Sequence, residues 1–145
     1  MTARFFYDAR NRCVARNYNG STTLNYYNNW NLIEERAPQG AQVARYVHGR
    51  RIDEIVVMVN KHRTFYPHYD VLGNVTMLTG ADGKLVERYG YSVEGKTTIK
   101  DAAARPLSSS AVGNRWMFTG REWLPELGLY DYRNRIYSAS LRPRQ

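Results

Sequence analysis

The sequence YPHYDVLGNVTMLTGADGKLVERYGYSVEGK, residues 66–96, contains the same turn twice. In the first copy, Asp70 follows Tyr69, and Gly73 comes three positions later. An Asp side chain can accept a hydrogen bond from a backbone N–H two residues on, and Gly adopts a positive φ without steric cost. The second copy, residues 91–95, has Ser in the Asp position. Each copy therefore predicts a tight chain reversal between two strands.

The sequence between these two copies predicts a further hairpin. Residues 74–79 are rich in β-branched side chains, and Asp82-Gly83 is among the strongest short hairpin signals. The chain is therefore expected to return as a strand over residues 84–91. Turns then recur about every 10 to 12 residues, which is the spacing typical of an all-β protein.

The same pattern recurs along the chain at an interval of about 20 residues. Residues 7–11 form one copy, in which Asn11 stands in the position that Gly73 occupies in the turn at Asp70. Residues 27–31 form a weaker copy, and residues 46–49 form a degenerate one. A hairpin of this length cannot bury its own apolar face, so neighbouring hairpins are expected to pack side by side as one curved or spiralling antiparallel sheet. The residues predicted to form the repeated turns are Tyr7, Asp8, Asn11, Tyr27, Asn31, Tyr69, Asp70, Gly73, Tyr91 and Gly95.

The pattern breaks after residue 96. Residues 101–113 contain Pro and three Ser and few aromatics, which predicts a flexible loop, with one turn of helix at residues 101–105 as an alternative. Residues 114–119 are then expected to form a strand, followed by a turn and a last strand over residues 129–137. In that strand, Tyr and Ile alternate with charged residues, so one face is expected to be apolar and the other charged.

Several ordered motifs together resemble the RHS/YD-repeat proteins, and in particular their RHS-repeat-associated core region. Besides the Tyr-Asp turns, these motifs are residues 45–49, 68–74, 113–122 and 125–133. The resemblance covers roughly residues 6–141, so residues 1–141 are expected to form one β-repeat domain and residues 142–145 a tail that does not match. The residues that carry the core motif are Gly120, Arg121, Glu122, Pro125, Gly128, Tyr130, Tyr132 and Arg133.

The resemblance implies strands that spiral into a hollow shell around a C-terminal toxin or effector. The chain is then expected to be a non-catalytic part of such a shell, whose partners are the rest of the shell or its cargo. In the family, the last strand continues into Gly-Arg-Phe and an Asp-Pro-x-Gly segment linked to self-cleavage. Neither is found here, and Ser138 stands where the family commonly has Asp. We therefore expect a truncated fragment without catalytic residues, which self-associates through open strand edges.

Other classes of function are less well supported by the composition. The net charge of +8 is compatible with nucleic-acid binding, but the charges are spread along the chain. A surface- or carbohydrate-binding repeat module would hold aromatics at one position in every unit, whereas the three Trp residues occupy different positions. No signal peptide, apolar membrane-spanning run or Cys/His ligand spacing is present. No enzyme activity, cofactor, metal or membrane partner is therefore expected, and the location is left open.

Overall fold

The computed structural model describes residues 2–140. It confirms the predicted all-β fold, since eleven strands form one antiparallel sheet in which each strand pairs with the next along the chain. These strands are β1 (Ala3–Tyr7), β2 (Cys13–Tyr18), β3 (Ser21–Asn28), β4 (Asn31–Arg36), β5 (Gln42–His48), β6 (Ile55–Asn60), β7 (Arg63–Tyr69), β8 (Val75–Gly80), β9 (Leu85–Tyr91), β10 (Thr97–Asp101) and β11 (Pro106–Leu107). A small second sheet contains β12 (Glu122–Leu124), β13 (Leu129–Asp131) and β14 (Ile136–Tyr137). The tail predicted at residues 142–145 lies outside the described residues.

The turn around Asp70 recurs with the same hydrogen bonds at other hairpins. One carboxylate oxygen of Asp70 accepts from two backbone N–H groups of the turn, each at 2.9 Å, and Gly73 has a φ of +82°. Asp8 caps its own turn in the same way, and there Asn11 has a φ of +61°. In the turn of Ser92, the hydroxyl accepts one backbone N–H at 3.2 Å. Residue type at two positions thus selects a hairpin loop that contains one left-handed residue.

The turn between β3 and β4 differs from the prediction. Asn28 and Asn31 form the last pair of the ladder, which leaves a loop of only two residues, Asn29 and Trp30. Asn29 has a φ of +52°, whereas Asn31 is the first residue of β4. A two-residue loop has no position that corresponds to the Gly of the longer turn. The assignment of Asn31 to that position is therefore wrong.

The segment 101–113 contains a further copy of the turn. One carboxylate oxygen of Asp101 accepts from two backbone N–H groups at 2.9 Å each, and Ala104 has a φ of +64°. The chain then enters the short strand β11, so residues 101–105 form a hairpin turn and not a turn of helix. The sequence concealed this copy because Ala104, unlike Gly or Asn, does not indicate a left-handed backbone.

The strand predicted at residues 114–119 is not formed. The side chain of Asn114 accepts from the backbone N–H of Trp116 at 3.0 Å and donates to its carbonyl at 2.9 Å. Such local bonds compete with a strand ladder, so the chain bends there. Trp116 makes only a single bridge to Glu122. Residues 118–120 form a tight turn in which Thr119 and Gly120 have positive φ, +51° and +68°.

The continuous strand predicted over residues 129–137 is also wrong. Arg133 has a φ of +67°, so β13 ends at Asp131 and the chain turns into β14. The predicted alternation of one apolar and one charged face is therefore lost. Tyr130 is fully buried, whereas Ile136, predicted to share its face, is 49% exposed.

The turns of the large sheet lie alternately at its two ends, because consecutive strands are antiparallel. We call one end the tyrosine rim, since the predicted repeat tyrosines precede its turns. The tyrosine rim holds the turns at residues 8–12, 29–30, 49–54, 70–74 and 92–96. The opposite rim holds the turns at residues 19–20, 37–41, 61–62, 81–84 and 102–105.

The sheet curves around residues 110–140, which we call the C-terminal segment. In neighbouring strands of the small sheet, Glu122 contacts Arg16 in β2, and Tyr130 is hydrogen-bonded to Thr97 in β10. A flat sheet would place β2 and β10 about 38 Å apart, at roughly 4.8 Å per strand. Two adjacent short strands cannot span that distance, so the large sheet must be strongly curved. The core fills the space between its concave face and the C-terminal segment.

Candidate functional site: the tyrosine ladder and the docked C-terminal segment

Three of the predicted repeat tyrosines each form the same type of hydrogen bond. The hydroxyl groups of Tyr27, Tyr69 and Tyr91 donate to backbone carbonyls at the start of the preceding strand. These carbonyls belong to Cys13, Ile55 and Val75, at 3.0, 2.9 and 2.6 Å respectively. Each tyrosine thus ties the end of its strand to the neighbouring strand at the tyrosine rim.

His48 takes the place of the missing tyrosine in the degenerate copy. Its Nε2 lies 2.7 Å from the carbonyl oxygen of Leu32, at the start of the preceding strand β4. Tyr46, the tyrosine of the degenerate copy at residues 46–49, is buried, and its hydroxyl lies 3.4 Å from Glu35. The ladder of rim hydrogen bonds is therefore continuous from residue 27 to residue 91.

Tyr7 is the member of this ladder whose partner is missing. It ends β1, which is an edge strand of the large sheet. Within residues 2–140 there is no preceding strand on that side, and the Tyr7 hydroxyl makes no hydrogen bond there. The ring is 47% exposed, and its partial burial raises the pKa of the hydroxyl. The first rung of the ladder is thus open.

The core motif residue Glu122 lies in a buried charge cluster. Arg16, only 2% exposed, contacts Glu122 at 2.6 Å and Glu35 at 2.8 Å. Arg115 approaches Glu122 at 3.2 Å. Burial alone would raise the pKa of Glu122, but the charges of Arg16 and Arg115 outweigh it and hold that pKa below its usual value. The cluster fixes the C-terminal segment to β2 and β4.

Asp53 joins two further core motif residues to the tyrosine rim. It contacts Arg121 at 3.0 Å and Arg133 at 2.5 Å. Gly120 has a φ of +68°, and a Cβ at this position would lie 3.1 Å from the carbonyl oxygen of Asp53. Thr119 adds a hydrogen bond from its backbone N–H to Asn74 at 2.7 Å. The Gly in this motif allows the two backbones to approach closely enough for the ion pairs to form.

The remaining core motif residues shape the small sheet. Pro125 occupies the first corner of a turn closed by a bond from Leu127 to Leu124, and Gly128 follows it with a φ of +66°. The Tyr132 hydroxyl lies 2.8 Å from that of Thr119, and its ring lies 5.2 Å from the Arg121 guanidinium. Together with the buried Tyr130, these contacts account for each residue of the predicted motif in structural terms.

Two anchors of the C-terminal segment were missed in the sequence. Asn60 donates to the carbonyls of Val112 and Gly113 at 2.9 and 3.0 Å. Glu87, only 1% exposed, accepts from Ser110 and from the backbone of Ala111. The sequence did contain a signal for these anchors. Each is a polar residue at a strand position whose side chain faces inward together with apolar neighbours, and buried polar groups need partners.

A small cavity of about 60 Å³ lies between the large sheet and the C-terminal segment. Its lining includes Cys13, His48 and Asp131. Burial raises the pKa of Cys13 to about 11, so this thiol is a poor nucleophile at neutral pH. Burial and the charge of Glu122 raise the pKa of Asp131. Within residues 2–140, no group of three or more His, Cys, Asp or Glu side chains could hold a metal ion.

Comparison with known proteins finds relatives at low sequence identity. No family model matches the chain. It is 26% identical over 137 residues to the "tRNA3(Ser)-specific nuclease WapA" of Bacillus spizizenii and to the "tRNA nuclease WapA" of Bacillus subtilis (strain 168). Each match covers 93% of this chain and 6% of the relative.

A solved structure shares the fold. The chain superposes on one chain of TcdB2-TccC3 with a TM-score of 0.62 over 94% of its length, at 15% sequence identity, and covers 7% of that chain. These comparisons support a relationship to the RHS/YD-repeat proteins. The chain spans only a small part of the length of the curated relatives that it matches.

Proposed function

We propose that this chain is a non-catalytic wall segment of an RHS-type shell, corresponding to the RHS-repeat-associated core region. In this proposal, the segment belongs to a longer assembly that encloses a C-terminal effector. The relatives are named as tRNA nucleases, but this chain corresponds to about 6% of their length. A structural part in such a protein is the reading that best agrees with the contacts described above.

The open rung at Tyr7 is the observation that carries the proposal. Each later rung joins a strand end to the preceding strand. Among residues 2–140, by contrast, β1 has an unpaired edge and the Tyr7 hydroxyl has no hydrogen-bond partner. A further strand of the same repeat would satisfy both features at once. Unpaired edges template the addition of strands, and main-chain hydrogen bonds provide the affinity.

The charged residues of the core motif support a structural role. Arg121 and Arg133 are engaged by a carboxylate of the same chain, and Glu122 is engaged by Arg16. The only Cys has a raised pKa and is buried. Trp30 lies at the tyrosine rim while Trp116 packs against Tyr46, so the tryptophans form no repeated exposed row of the kind that a carbohydrate-binding module uses.

The β1 edge can be tested with a synthetic peptide that copies residues 54–60. This segment contains Ile55, whose carbonyl accepts the Tyr69 hydroxyl. Hydrogen exchange read by mass spectrometry should show slower exchange of the β1 amides when the peptide is added, and a scrambled peptide should have no effect. Tyr7→Phe should weaken binding about fivefold, the equivalent of one hydrogen bond of about 1 kcal/mol. Equal exchange with and without the peptide at millimolar concentration would contradict the proposal.

A further inference from the structure

The two rims of the large sheet differ in the residues at their turn tips. On the tyrosine rim, the tips carry large apolar side chains that are strongly exposed. They are Trp30 (47%), Ile52 (81%), Val71 (98%), Leu72 (74%) and Val93 (95%). At the opposite rim, the tips within the described residues are Asn19-Gly20, Pro38-Gln39, Lys61-His62, Ala81-Asp82 and Ala102-Ala103, without one large exposed apolar residue.

This difference has no explanation in the folding of the chain. Turn tips favour Gly, Pro, Asn, Asp and Ser because these residues suit the backbone and are well solvated. Val71 and Val93 satisfy neither preference, and at such exposure they contribute little to the core. Residues that break a local rule without a local benefit are expected at functional surfaces. A contiguous exposed apolar patch commonly marks an interaction site.

The apolar tips lie close to one another along an arc. Successive turns on one rim are two strands apart, or about 10 Å. The C-terminal segment reaches the same rim, where Tyr137 donates to the carbonyl of Glu94 and Asn134 accepts from Asn11. It adds Ile136, which is 49% exposed. The patch therefore occupies one end of the curved sheet and continues onto the C-terminal segment.

Exposed cations surround these tips. Arg10, Arg50, Arg51 and Lys96 lie in the tyrosine-rim turns, and all four are exposed. Within residues 2–140, none of their side chains forms an ion pair. By contrast, the rim carboxylates Asp8 and Asp53 are engaged by arginines. The other carboxylates of these turns accept hydrogen bonds within their own turn; they are Glu54, Asp70 and Glu94. The patch thus combines apolar tips with four exposed cations that form no ion pair among residues 2–140.

From this combination we infer that the tyrosine rim is a docking surface for an anionic phospholipid bilayer. The apolar tips enter the interfacial layer, and the four cations bind lipid headgroups. Segments that lie on membranes combine these features, with Trp favoured at the interface. Pairing of two rims from two copies of the chain would bring eight unpaired cations together, and their repulsion opposes it.

This contact differs from a membrane span, which was the only kind of membrane contact considered in the sequence analysis. No helix among the described residues is long and apolar enough to cross a bilayer. The rim patch is assembled from residues 30, 52, 71, 72 and 93, which belong to four turns that are far apart in the sequence. Because no continuous apolar run of sequence corresponds to this patch, the sequence predicted no membrane partner.

Vesicle flotation with the full 145-residue chain tests the inference. We expect binding to vesicles of phosphatidylcholine and phosphatidylglycerol at 70:30, much weaker binding to pure phosphatidylcholine, and loss of binding at high salt. The double variant Val71→Ser/Leu72→Ser should weaken binding by about tenfold or more. Arg50→Gln and Arg51→Gln should each weaken it about fivefold. Circular dichroism should show unchanged folding, since these side chains are exposed.

A matched control uses the opposite rim. Lys61→Gln removes a turn cation that, like Arg50 and Arg51, forms no ion pair among residues 2–140, and Lys84→Gln removes one that contacts Asp82 at 3.3 Å. Neither variant should reduce vesicle binding. The inference is overturned if the chain fails to float with anionic vesicles at low salt, or if the opposite-rim variants have the larger effect. It is also overturned if analytical ultracentrifugation shows a dimer that the Val71/Leu72 variant dissolves, because the patch would then be a protein interface. These outcomes are independent of strand addition at β1, so either proposal can fail alone.

Discussion

The guanidinium of Arg16 and the carboxylate of Glu122 lie 2.6 Å apart, although 106 residues separate them in the sequence. Arg16 also contacts Glu35 at 2.8 Å, and all three residues are buried. The pair joins the second strand of the large sheet to the first strand of the small one. It therefore reports directly on whether the C-terminal segment is docked.

Replacement of Arg16 by Met should lower the free energy of unfolding by about 3 to 5 kcal/mol, because Glu35 and Glu122 would stay buried without their shared cation. Arg105→Met is a suitable control. Arg105 also contacts a carboxylate, Asp101 at 2.7 Å, but its side chain is 77% exposed. Such a pair contributes about 1 kcal/mol or less. Urea unfolding measures both, and equal losses would contradict a special role for the buried cluster.

Replacement of Tyr69 by Phe should destabilise the tyrosine rim by about 1 to 3 kcal/mol, because the backbone of Ile55 loses its partner. The Tyr69 hydroxyl both accepts from the N–H of Ile55 and donates to its carbonyl, each at 2.9 Å. Tyr66→Phe is the control, since Tyr66 lies on the same strand but is 40% exposed. Thermal unfolding should separate the two variants, and equal melting temperatures would count against the ladder.

Gly95→Ala should be far more disruptive than Gly73→Ala. Both glycines occupy the same position of the repeated turn, with φ of +89° and +82°. A Cβ at Gly95 would come within 2.5 Å of the Phe118 ring, whereas at Gly73 it would meet nothing within 4 Å. Gly73→Ala should therefore cost only the backbone strain, about 1 kcal/mol. The variant at Gly95 should in addition displace the C-terminal segment, which near-ultraviolet circular dichroism of the aromatic residues would detect.

Asp131→Asn should stabilise the protein at neutral pH and have little effect near pH 3. Burial, and then the charge of Glu122, raise the pKa of Asp131 above its usual value. An acid whose pKa is raised on folding leaves stability unchanged at low pH, where both states are protonated. It reduces stability as the pH rises from about 4, the unfolded value, through the folded pKa. Urea unfolding of both proteins at several pH values would reveal this difference, and a pH-independent effect would contradict it.

The thiol of Cys13 should react slowly in the folded protein. It is 8% exposed, and burial raises its pKa to about 11. Few thiolates are therefore present at pH 8, and reagent has little access to them. Ellman's reagent should label one thiol quickly in 6 M guanidinium and slowly in buffer. Ser21→Cys, which places a second thiol at the exposed first residue of β3, should add one fast-reacting group in buffer.

Local turn chemistry explains how much of the fold could be predicted. Asp70 with Gly73, and Asp8 with Asn11, specify a reversal within five residues, so the sequence alone determined most hairpins and their order along one sheet. The prediction failed where the signal was altered. Asn29 shortened one turn to two residues, and Ala104 concealed another.

The candidate site was predicted as a set of residues, but their contacts were not. Gly120, Arg121 and Glu122 were selected by resemblance, and nothing near them in the sequence indicated Asp53 or Arg16 as partners. Likewise, His48 replaces a tyrosine in the rim ladder because its ring nitrogen reaches the same kind of carbonyl. A pattern based on residue type could not show that equivalence.

The amino-acid sequence by itself determined most of the repeating hairpins, the left-handed turn residues Asn11, Gly73 and Gly95, and the excess of positive charge. Only the tertiary structure decided the curvature of the sheet, the burial of Arg16 with Glu122 and the gathering of Ile52, Val71 and Val93 on one rim. The physical reason is one of range. A turn is selected by hydrogen bonds within a few residues, whereas curvature and rim composition depend on contacts between strands that are far apart along the chain.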